Sequence, residues 1–409
     1  MVTETFTLIN AVKKMYPVMQ FFKDRYFPDG RNYYSEKALI ETKKEGKKVA
    51  PFVVPVVNGI AIESEGYRGY EVDAPYIAPK MPITPRDLEK KAFGESPDTN
   101  RSPADRENEV ESEHLDTLRK SIMRRKELMC TELITTGKIS MTHYATAKDA
   151  ANDTNGQYKE LRYFDTLFEN KYWLNKEFTS MTAEERIQFF YKVANILSER
   201  GVTATDIVMT GDVSMLLMTD KDFLEFYNLR RADFGDIKPI QTPDGVTNNG
   251  AINVNGVIFT MFTYNAQYTD LDGTTKPFLP KGTIAFLHPN IGETAYAQVT
   301  LVNKGSGMHS YAESIVPRLY EDESNNLIEV QTFSRPVPYP YDWESWIVAN
   351  IEDQVLLSEA EIDAFTTKAE IIAYGEAIGM TTLSDSSTVA ELKAAVKAYQ
   401  AELLGGDDV

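Results

Sequence analysis

The side chains that most often carry catalysis or bind metals are few and widely separated in this 409-residue chain. The single cysteine, Cys130, rules out an intrachain disulfide and any zinc site that needs several cysteines. We interpret it as a buried structural thiol, because it falls near the apolar stripe of a predicted helix. The four histidines are too dispersed for a metal-binding motif: His114, His143, His288 and His309. We therefore predict no bound metal and no cofactor.

The glycine motifs that bind phosphate or present a nucleophile are incomplete. Gly211-Asp212-Val213-Ser214-Met215 lacks the second glycine of a nucleophile elbow, and Gly305-Ser306-Gly307 precedes no phosphate-binding helix. The adjacent acids Glu184 and Glu185 fit a solvated helix start. We predict that the protein is not an enzyme, with an unrecognised active site in residues 140–300 as the alternative.

The net charge of the chain and its distribution exclude further classes of function. The chain carries 61 Asp and Glu against 43 Lys and Arg, a net charge of −18, whereas proteins that grip DNA need clustered Lys and Arg. Residues 1–50 have a net charge of +4 and residues 351–409 a net charge of −9. The sequence has no apolar run of about 18 residues and no secretory signal pattern, so we expect a soluble protein made in a cytosol.

The elements that would position a site begin with an aromatic, basic arm at residues 1–49. Its rings would be costly to leave in water, so we predict that the arm lies on another surface. The residues expected to make these contacts are Phe21, Phe22, Tyr26, Phe27, Tyr33 and Tyr34.

Residues 50–90 contain six prolines, which in our interpretation exclude a helix. Ile60–Ile62 and Tyr70–Val72 are strand-like and flank a turn at Glu65–Gly69, which predicts a long, protruding β-hairpin. Such a hairpin rarely stands alone in water, so we expect it to rest on a partner. The residues predicted to make this contact are Val54, Val56, Gly59, Ile60, Ile62, Tyr67, Tyr70, Tyr76 and Ile77.

Residues 102–137 predict a helix about 50 Å long, which suggests a spine. Ser102 is a suitable N-cap, Pro103 suits the first helical position, and Gly137 is a plausible stop. The apolar stripe of this helix consists of Leu115, Leu118, Ile122, Met129 and Leu133.

Residues 138–300 predict a compact mixed domain. Thr182 begins a helix, Ile207–Met209 forms a short buried strand, and Asn255-Gly256 is a strong signal for a tight hairpin. Thr283–Leu287 is a further strand.

A second long hairpin is predicted farther along the chain. Its strands are Ser314–Tyr320 and Leu327–Phe333, joined by a polar turn at Glu321–Asn326. The prolines that follow force an extended exit, and a last strand is expected around Trp343–Val348.

These features, in this order, resemble the lambda-type phage major capsid proteins of the capsid protein E family. The pattern at residues 54–80 is the most specific part of a resemblance that covers about residues 5 to 350. The stretches that carry it are Phe21–Phe27, Val54–Gly59, Glu65–Tyr67, Ala74–Lys80, Gly94–Pro97, Thr136–Lys138 and Phe278–Pro280.

The resemblance implies an α+β fold of the Hong Kong 97 type. Its expected parts are an N-terminal arm at 1–49, an extended loop at 50–90, the peripheral domain with its spine helix at 91–140, the axial domain mainly at 141–295, the peripheral β-hairpin and last strand at 296–352, and a helical C-terminal module with an acidic tail at 353–409.

The implied function is that of a major capsid protein, which self-assembles into hexamers and pentamers of an icosahedral head shell around phage double-stranded DNA. Expected partners are other copies of the chain, a scaffolding protein, the portal and a decoration protein, with no membrane and no sequence-specific DNA contact. Such a protein is assembled in the host cytoplasm and located in the virion. An encapsulin-type compartment shell protein is a further alternative.

The C-terminal module departs from the family pattern. Helical composition dominates Ser358–Ala364, Lys368–Ile378 and Val389–Leu404, and the last two resemble the helix–extended-loop–helix motif of SAP- or LEM-like modules. Such modules often bind nucleic acid, but the local net charge of −9 opposes phosphate contacts. We favour a protein-interaction module, which faces outward or stays mobile inside the shell, over a DNA contact.

Overall fold

The computed structural model describes residues 8–9, 12, 20–35, 37–43, 67–89, 103–163, 168–230, 243, 245–254, 256–303, 307–353, 356–380, 383 and 387–403. The chain divides into two units. The first contains Met1–Gly46, Ala50–Cys130 and Gly292–Tyr341, and the second contains Lys47–Val49, Thr131–Ile291 and Asp342–Val409.

In chain order the described elements are α1 (Phe21–Tyr26), β1 (Asp29–Tyr33), β2 (Lys37–Lys43), β3 (Tyr67–Asp73), β4 (Lys80–Ile83), α2 (Pro85–Glu89), α3 (Pro103–Thr136), β5 (Lys138–His143), α4 (Ala147–Asn152), β6 (Gln157–Arg162), β7 (Lys171–Tyr172), a 3-10 turn (Phe178–Ser180), α5 (Ala183–Glu199), β8 (Asp206–Met209), α6 (Gly211–Thr219), α7 (Lys221–Arg230), β9 (Val246–Val254), β10 (Val257–Tyr264), β11 (Gln267–Thr269), β12 (Thr275–Pro277), β13 (Thr283–Leu287), β14 (Gly292–Ala297), β15 (Val299–Asn303), β16 (Gly307–Tyr311), β17 (Val316–Asp322), β18 (Leu327–Phe333), β19 (Pro336–Pro340), β20 (Ile347–Asn350), α8 (Glu359–Ala364), α9 (Lys368–Ala377) and α10 (Val389–Leu403).

The predicted spine is α3, which we call the spine helix. It spans 34 residues and begins at Pro103, whose missing N–H is tolerated in a first turn. Gly137 ends it with a φ of 69°, and its N–H donates to the Leu133 carbonyl at 2.9 Å. The predicted N-cap, Ser102, lies outside the described residues. The five residues of the predicted stripe are all buried: Leu115, Leu118, Ile122, Met129 and Leu133.

The first half of this stripe packs on a three-stranded sheet of the first unit. The sheet has the order β17-β18-β4, and Val330 and Ile83 from its strands share a core with Leu118 and Ile122. The β17–β18 hairpin confirms the second predicted hairpin, with Leu319 opposite Val330. Its turn is tighter than predicted, because β17 continues to Asp322.

The predicted strand Ile60–Ile62 lies outside the described residues, so its pairing with Tyr70–Val72 stays a prediction. Tyr70–Val72 does lie in a strand, β3, and this strand pairs with β2, with Ile40 opposite Tyr70. Tyr67–Gly69, which we expected in the turn, belongs to the same strand. The hairpin therefore begins before residue 50, and the chain between its two strands, residues 44–66, lies outside the described residues.

Two proline-containing stretches of the first unit form regular elements that the sequence did not predict. α2 begins at Pro85, so the prolines of residues 50–90 do not exclude a helical turn when one of them occupies its first position. Pro336–Pro340, predicted as an extended exit, forms the edge strand β19 of a sheet with the order β1-β14-β19. An edge strand tolerates proline because one side of it needs no N–H donors.

The second unit contains a six-stranded sheet with the order β7-β20-β13-β8-β10-β9. The predicted helix start is confirmed, since Thr182 forms a capping box with Glu185 at the beginning of α5. The predicted tight hairpin is β9–β10, in which Val254 lies opposite Val257. The core between α5 and the sheet contains large rings such as Phe190 and Phe286.

Two parts of the second unit follow residue 341. The last strand, β20, was assigned to the peripheral domain, but it pairs with β13 inside the six-stranded sheet, so that assignment is wrong. After it, α8, α9 and α10 confirm the three predicted helices and share a separate core that includes Ile362, Ile371 and Val396.

Candidate assembly surfaces

The aromatic residues of the N-terminal arm lie mostly inside the first unit. Four rings are buried within the chain: Phe21, Phe22, Tyr26 and Phe27. Our prediction that these rings need another surface is therefore wrong, because their own subunit covers them. Tyr33 is half-buried, and Tyr34 is 81% exposed. Of the six predicted arm contacts, Tyr34 is thus the one most open to another molecule.

A buried carboxylate holds the N-terminal segment, by which we mean residues 20–33, on the spine helix. Glu127 accepts hydrogen bonds at 3.2, 2.9 and 2.9 Å from three consecutive backbone N–H groups, those of Phe21, Phe22 and Lys23. These groups begin α1, where a helix supplies no acceptors of its own. A negative charge at this helix end is also favourable.

The residue before Glu127 places a fully buried amino group in the same region. The Nζ of Lys126 lies 3.2 Å from the Tyr296 hydroxyl and 3.1 Å from the Ser314 carbonyl oxygen. It also lies 4.4 Å from the centre of the Tyr296 ring. Burial lowers the pKa of Lys126 to about 7, although nearby carboxylates oppose this effect.

An ion pair on the N-terminal segment completes the cluster. The Nζ of Lys23 lies 2.7 Å from a carboxylate oxygen of Asp29 and 3.2 Å from one of Asp24. Asp29 also accepts a hydrogen bond from the Tyr296 hydroxyl. Burial opposes both charges, yet their mutual attraction raises the pKa of Lys23 and lowers that of Asp29. We call Lys23, Asp29, Lys126, Glu127 and Tyr296 the polar cluster; all of them are buried except Asp29, whose side chain is 58% exposed.

Sequence reasoning missed this cluster because Arg124, Arg125, Lys126 and Glu127 form a run of charges. Such a run is normally solvated, and Arg124 and Arg125 are indeed exposed. The spacing of Lys126 from the apolar stripe of the spine helix did indicate its burial. Lys126 lies four residues after Ile122, which places it on the buried side of the spine helix.

The end of strand β3 is fixed by Arg335. Its guanidinium donates to the Ala74 carbonyl at 3.1 and 3.4 Å and to the Gln298 carbonyl at 3.5 Å. It also lies 5.8 Å from the centre of the Tyr76 ring, which contacts Phe333 with the ring centres 5.9 Å apart. These contacts hold the root of the extended loop on the first unit.

The predicted loop contacts fall into three groups. Tyr67 and Tyr70 lie in β3, and Tyr76 and Ile77 lie at the root of the loop, where the backbone of Ile77 bridges to that of Ser334. The others lie outside the described residues: Val54, Val56, Gly59, Ile60 and Ile62. Contact between this set and a neighbouring subunit stays a prediction.

One exposed apolar pair was not predicted. Val302 and Met308 lie opposite each other on the two-stranded ribbon β15–β16 and are 56% and 75% exposed. The opposite face of the ribbon is buried through Leu301 and Tyr311. The alternation of Leu301 and Val302 gives no sequence signal, because both residues are apolar.

The described part of the chain contains no group of three or more His, Cys, Asp or Glu placed to hold a metal ion. Cys130 is buried, and burial raises the pKa of its thiol well above the usual range. Nδ1 of His288 lies 2.7 Å from the Pro289 carbonyl oxygen, so this loop histidine has a backbone partner. Among the described helices, none combines the length and the apolar character needed to cross a membrane.

Comparison with known proteins bears on these surfaces. The family model for phage major capsid protein E matches residues 4–351. No curated protein sequence matches the chain. A prophage protein of Escherichia coli CFT073, assigned as a capsid protein, is 18% identical to this chain, with a TM-score of 0.57 over 85% of this chain and 98% of its own.

Two further solved structures are more distant. The mature capsid of bacteriophage PhiM1 is 12% identical, with a TM-score of 0.43 over 82% of this chain and 88% of its own. The SrpI encapsulin of Synechococcus elongatus PCC 7942 is 9% identical, with a TM-score of 0.40 over 86% of this chain and 97% of its own.

The family match covers nearly the whole chain except the C-terminal helices, and the prophage protein shares the overall fold. The chain therefore belongs to the phage major capsid protein E family, has the Hong Kong 97-type fold and is a structural protein of the capsid shell in the virion.

Proposed function

We propose that copies of this chain form hexamers and pentamers that close into an icosahedral shell around double-stranded DNA. The observation that carries the proposal is the family match over residues 4–351, which includes most of both units. The net charge of −18 supports enclosure without tight binding, because phosphate contacts need clustered cations. The role is structural and involves no catalysis.

The extended loop, together with the ribbon β2–β3, lies on a neighbouring subunit in this proposal. Within the described residues the ribbon pairs with no third strand, and a two-stranded ribbon is only marginally stable in water. Burial of apolar side chains across a subunit boundary contributes about 25 cal/mol per Å². Assembly and ordering of the loop are then coupled, since a partner that binds only the ordered form stabilises it.

Electron microscopy of the expressed full-length protein tests this proposal. We expect closed shells or ring-shaped capsomers with six and five subunits. A protein that stays monomeric across protein concentrations and salt conditions, while its circular dichroism shows a folded chain, would contradict the proposal.

Further partners belong to the same proposal. A scaffolding protein, the portal and a decoration protein are expected during assembly in the host cytoplasm. The basic residues 1–50, with a net charge of +4, offer the favourable electrostatics for a scaffold or DNA contact.

The C-terminal module, residues 356–403, binds protein and does not bind DNA in this proposal. Lys397 pairs with the Asp363 carboxylate at 2.9 Å, and Lys393 donates to the Asp363 carbonyl at 2.7 Å. Both of these lysines are thus engaged within the module. Exposed carboxylates such as Glu376 add repulsion toward phosphates.

A chain truncated after Asp353 should still form shells of normal size. The reason is that the C-terminal helices have their own core and lie beyond the family match, whereas β20 ends at Asn350. Electron microscopy and sedimentation of the particles measure the result. A matched chain truncated after Tyr341 loses β20 and should not fold. Loss of shells in the first variant, with the subunit still folded, would show that the module takes part in shell closure.

A further inference from the structure

Lys126 connects three parts of the first unit through one amino group. It belongs to the spine helix, contacts the Tyr296 hydroxyl of β14, and contacts the Ser314 carbonyl that precedes β17. Through Tyr296 it reaches Asp29 of the N-terminal segment. Lys126 is 4% exposed, so a charge on it has almost no contact with water.

The charged and titratable groups around Lys126 come from each element packed against it. α1 contributes Lys23 and Asp24, the start of β1 contributes Asp29, β14 contributes Tyr296, and the spine helix contributes Glu127 and Cys130. Glu127, the next residue of the spine helix, accepts the three N–H groups of α1, so the carboxylate that anchors the N-terminal segment directly follows Lys126 in the chain.

We propose that Lys126 is a proton-dependent latch for the N-terminal segment. With its amino group neutral, residues 20–33 stay docked on the spine helix. Uptake of one proton from solvent places a second cation beside Lys23, on an amino group that is itself cut off from water, and favours detachment. Detachment exposes the rings of Phe21, Phe22, Tyr26 and Phe27, which can then contact another copy of the chain.

The direction of the pH dependence follows from where each group titrates. The pKa of Lys126 is lowered by burial to about 7 in the docked state, and detachment returns it toward its ordinary value of 10.5. The detached state therefore binds more protons between these values, and docking gains stability as pH rises from about 7 toward 10 and loses it as pH falls to 7. In the docked state the pKa values of Tyr296 and Cys130 are raised well above their usual ranges and that of Asp29 is lowered, so none of these three groups titrates there between pH 7 and 9. Titration of Cys130 after detachment is common to wild type and variant, and it cancels in the ratio of their rates.

Cys130 supplies the probe, because it is the only cysteine, is fully buried and lies one helical turn after Lys126. The test measures the rate at which a neutral maleimide labels Cys130 in the full-length protein at pH 7, 8 and 9. Wild type is compared with Lys126→Met and with the control Lys120→Met, which removes a lysine of the same helix whose side chain is 44% exposed and pairs with Asp116. The ratio of the wild-type rate to the variant rate cancels the reactivity of the thiol itself.

We expect the ratio of wild type to Lys126→Met to fall by about tenfold or more from pH 7 to pH 9, since one proton is linked to detachment. The ratio of wild type to Lys120→Met should stay constant. A ratio to Lys126→Met that does not change with pH would overturn the proposal.

Two further measurements cover a variant that does not fold and distinguish local from global opening. If Lys126→Met does not fold, the wild-type rate is divided by that of a small peptide thiol at each pH, and the same fall is expected. Labelling in dilute urea separates local from global opening: a rate nearly independent of urea supports detachment of the segment, whereas a steep rise means global unfolding and overturns the latch.

Discussion

Replacing residues 44–66 with an Asn-Gly turn should give a folded subunit that forms no closed shells. Lys43 and Tyr67 are paired at the ends of β2 and β3, so a two-residue turn can close this ribbon without disturbing it. The root also survives, because Arg335 binds the Ala74 carbonyl. The replacement removes the extended loop up to β3 and keeps the predicted contact residues Tyr67, Tyr70, Tyr76 and Ile77. Circular dichroism measures folding, and electron microscopy with sedimentation measures assembly.

A matched control separates loop length from loop chemistry. In this variant residues 44–66 keep their length and composition but have a scrambled order, and we again expect folded subunits without shells. Normal shells from the Asn-Gly variant would refute the proposed role of the loop. Normal shells from the scrambled variant alone would show that the loop acts as a spacer and makes no specific contacts.

The local elements of the fold were predictable because their signals lie within a few residues. Pro103 and Gly137 mark the ends of the spine helix, and Thr182 with Glu185 forms the capping box of α5. Asn255-Gly256 marks the β9–β10 hairpin, where Gly256 has a φ of 93°. Each of these depends on the chemistry of one turn of backbone, which the sequence specifies directly.

Pairings between distant segments were not predictable on the same basis. By its sequence alone, β3 could pair with any strand-like segment. Its partner is β2, which precedes the extended loop in the chain. Similarly, β20 follows the first unit in sequence but pairs with β13 in the second. Apolar alternation indicates that a strand is half-buried but carries no information about its partner.

At the assembly surfaces, too, local features were predictable and long-range contacts were not. The sequence indicates that Phe22 and Tyr26 must be buried, yet it cannot distinguish burial in the same subunit from burial in a neighbour. Both are covered by their own chain. Glu127 was not recognised, because its partners are backbone N–H groups more than one hundred residues away. Hydrogen bonds to the backbone leave no pattern in side-chain types.

Trp346→Ala should lower the free energy of unfolding of the second unit by about 4 kcal/mol, the typical cost of truncating a fully buried large ring. Trp346 is the largest side chain with no exposed surface. Its indole N–H donates to the Ile134 carbonyl at 3.0 Å. This carbonyl lies in the last turn of the spine helix, where no later helical N–H can reach it. The substitution therefore leaves both a cavity and a buried acceptor without a donor.

Urea unfolding followed by circular dichroism measures the loss, and two variants separate its causes. Trp346→Phe keeps most of the ring volume but not the donor, so it should cost about 2 kcal/mol, within the range for a buried polar group left unsatisfied. Trp343→Ala removes the same side chain three residues earlier, where it is only half-buried, and should cost less than Trp346→Ala. Equal losses at positions 343 and 346 would contradict the special position of Trp346. A Trp346→Phe variant as stable as wild type would mean that packing alone, without the bond to Ile134, holds the end of the spine helix.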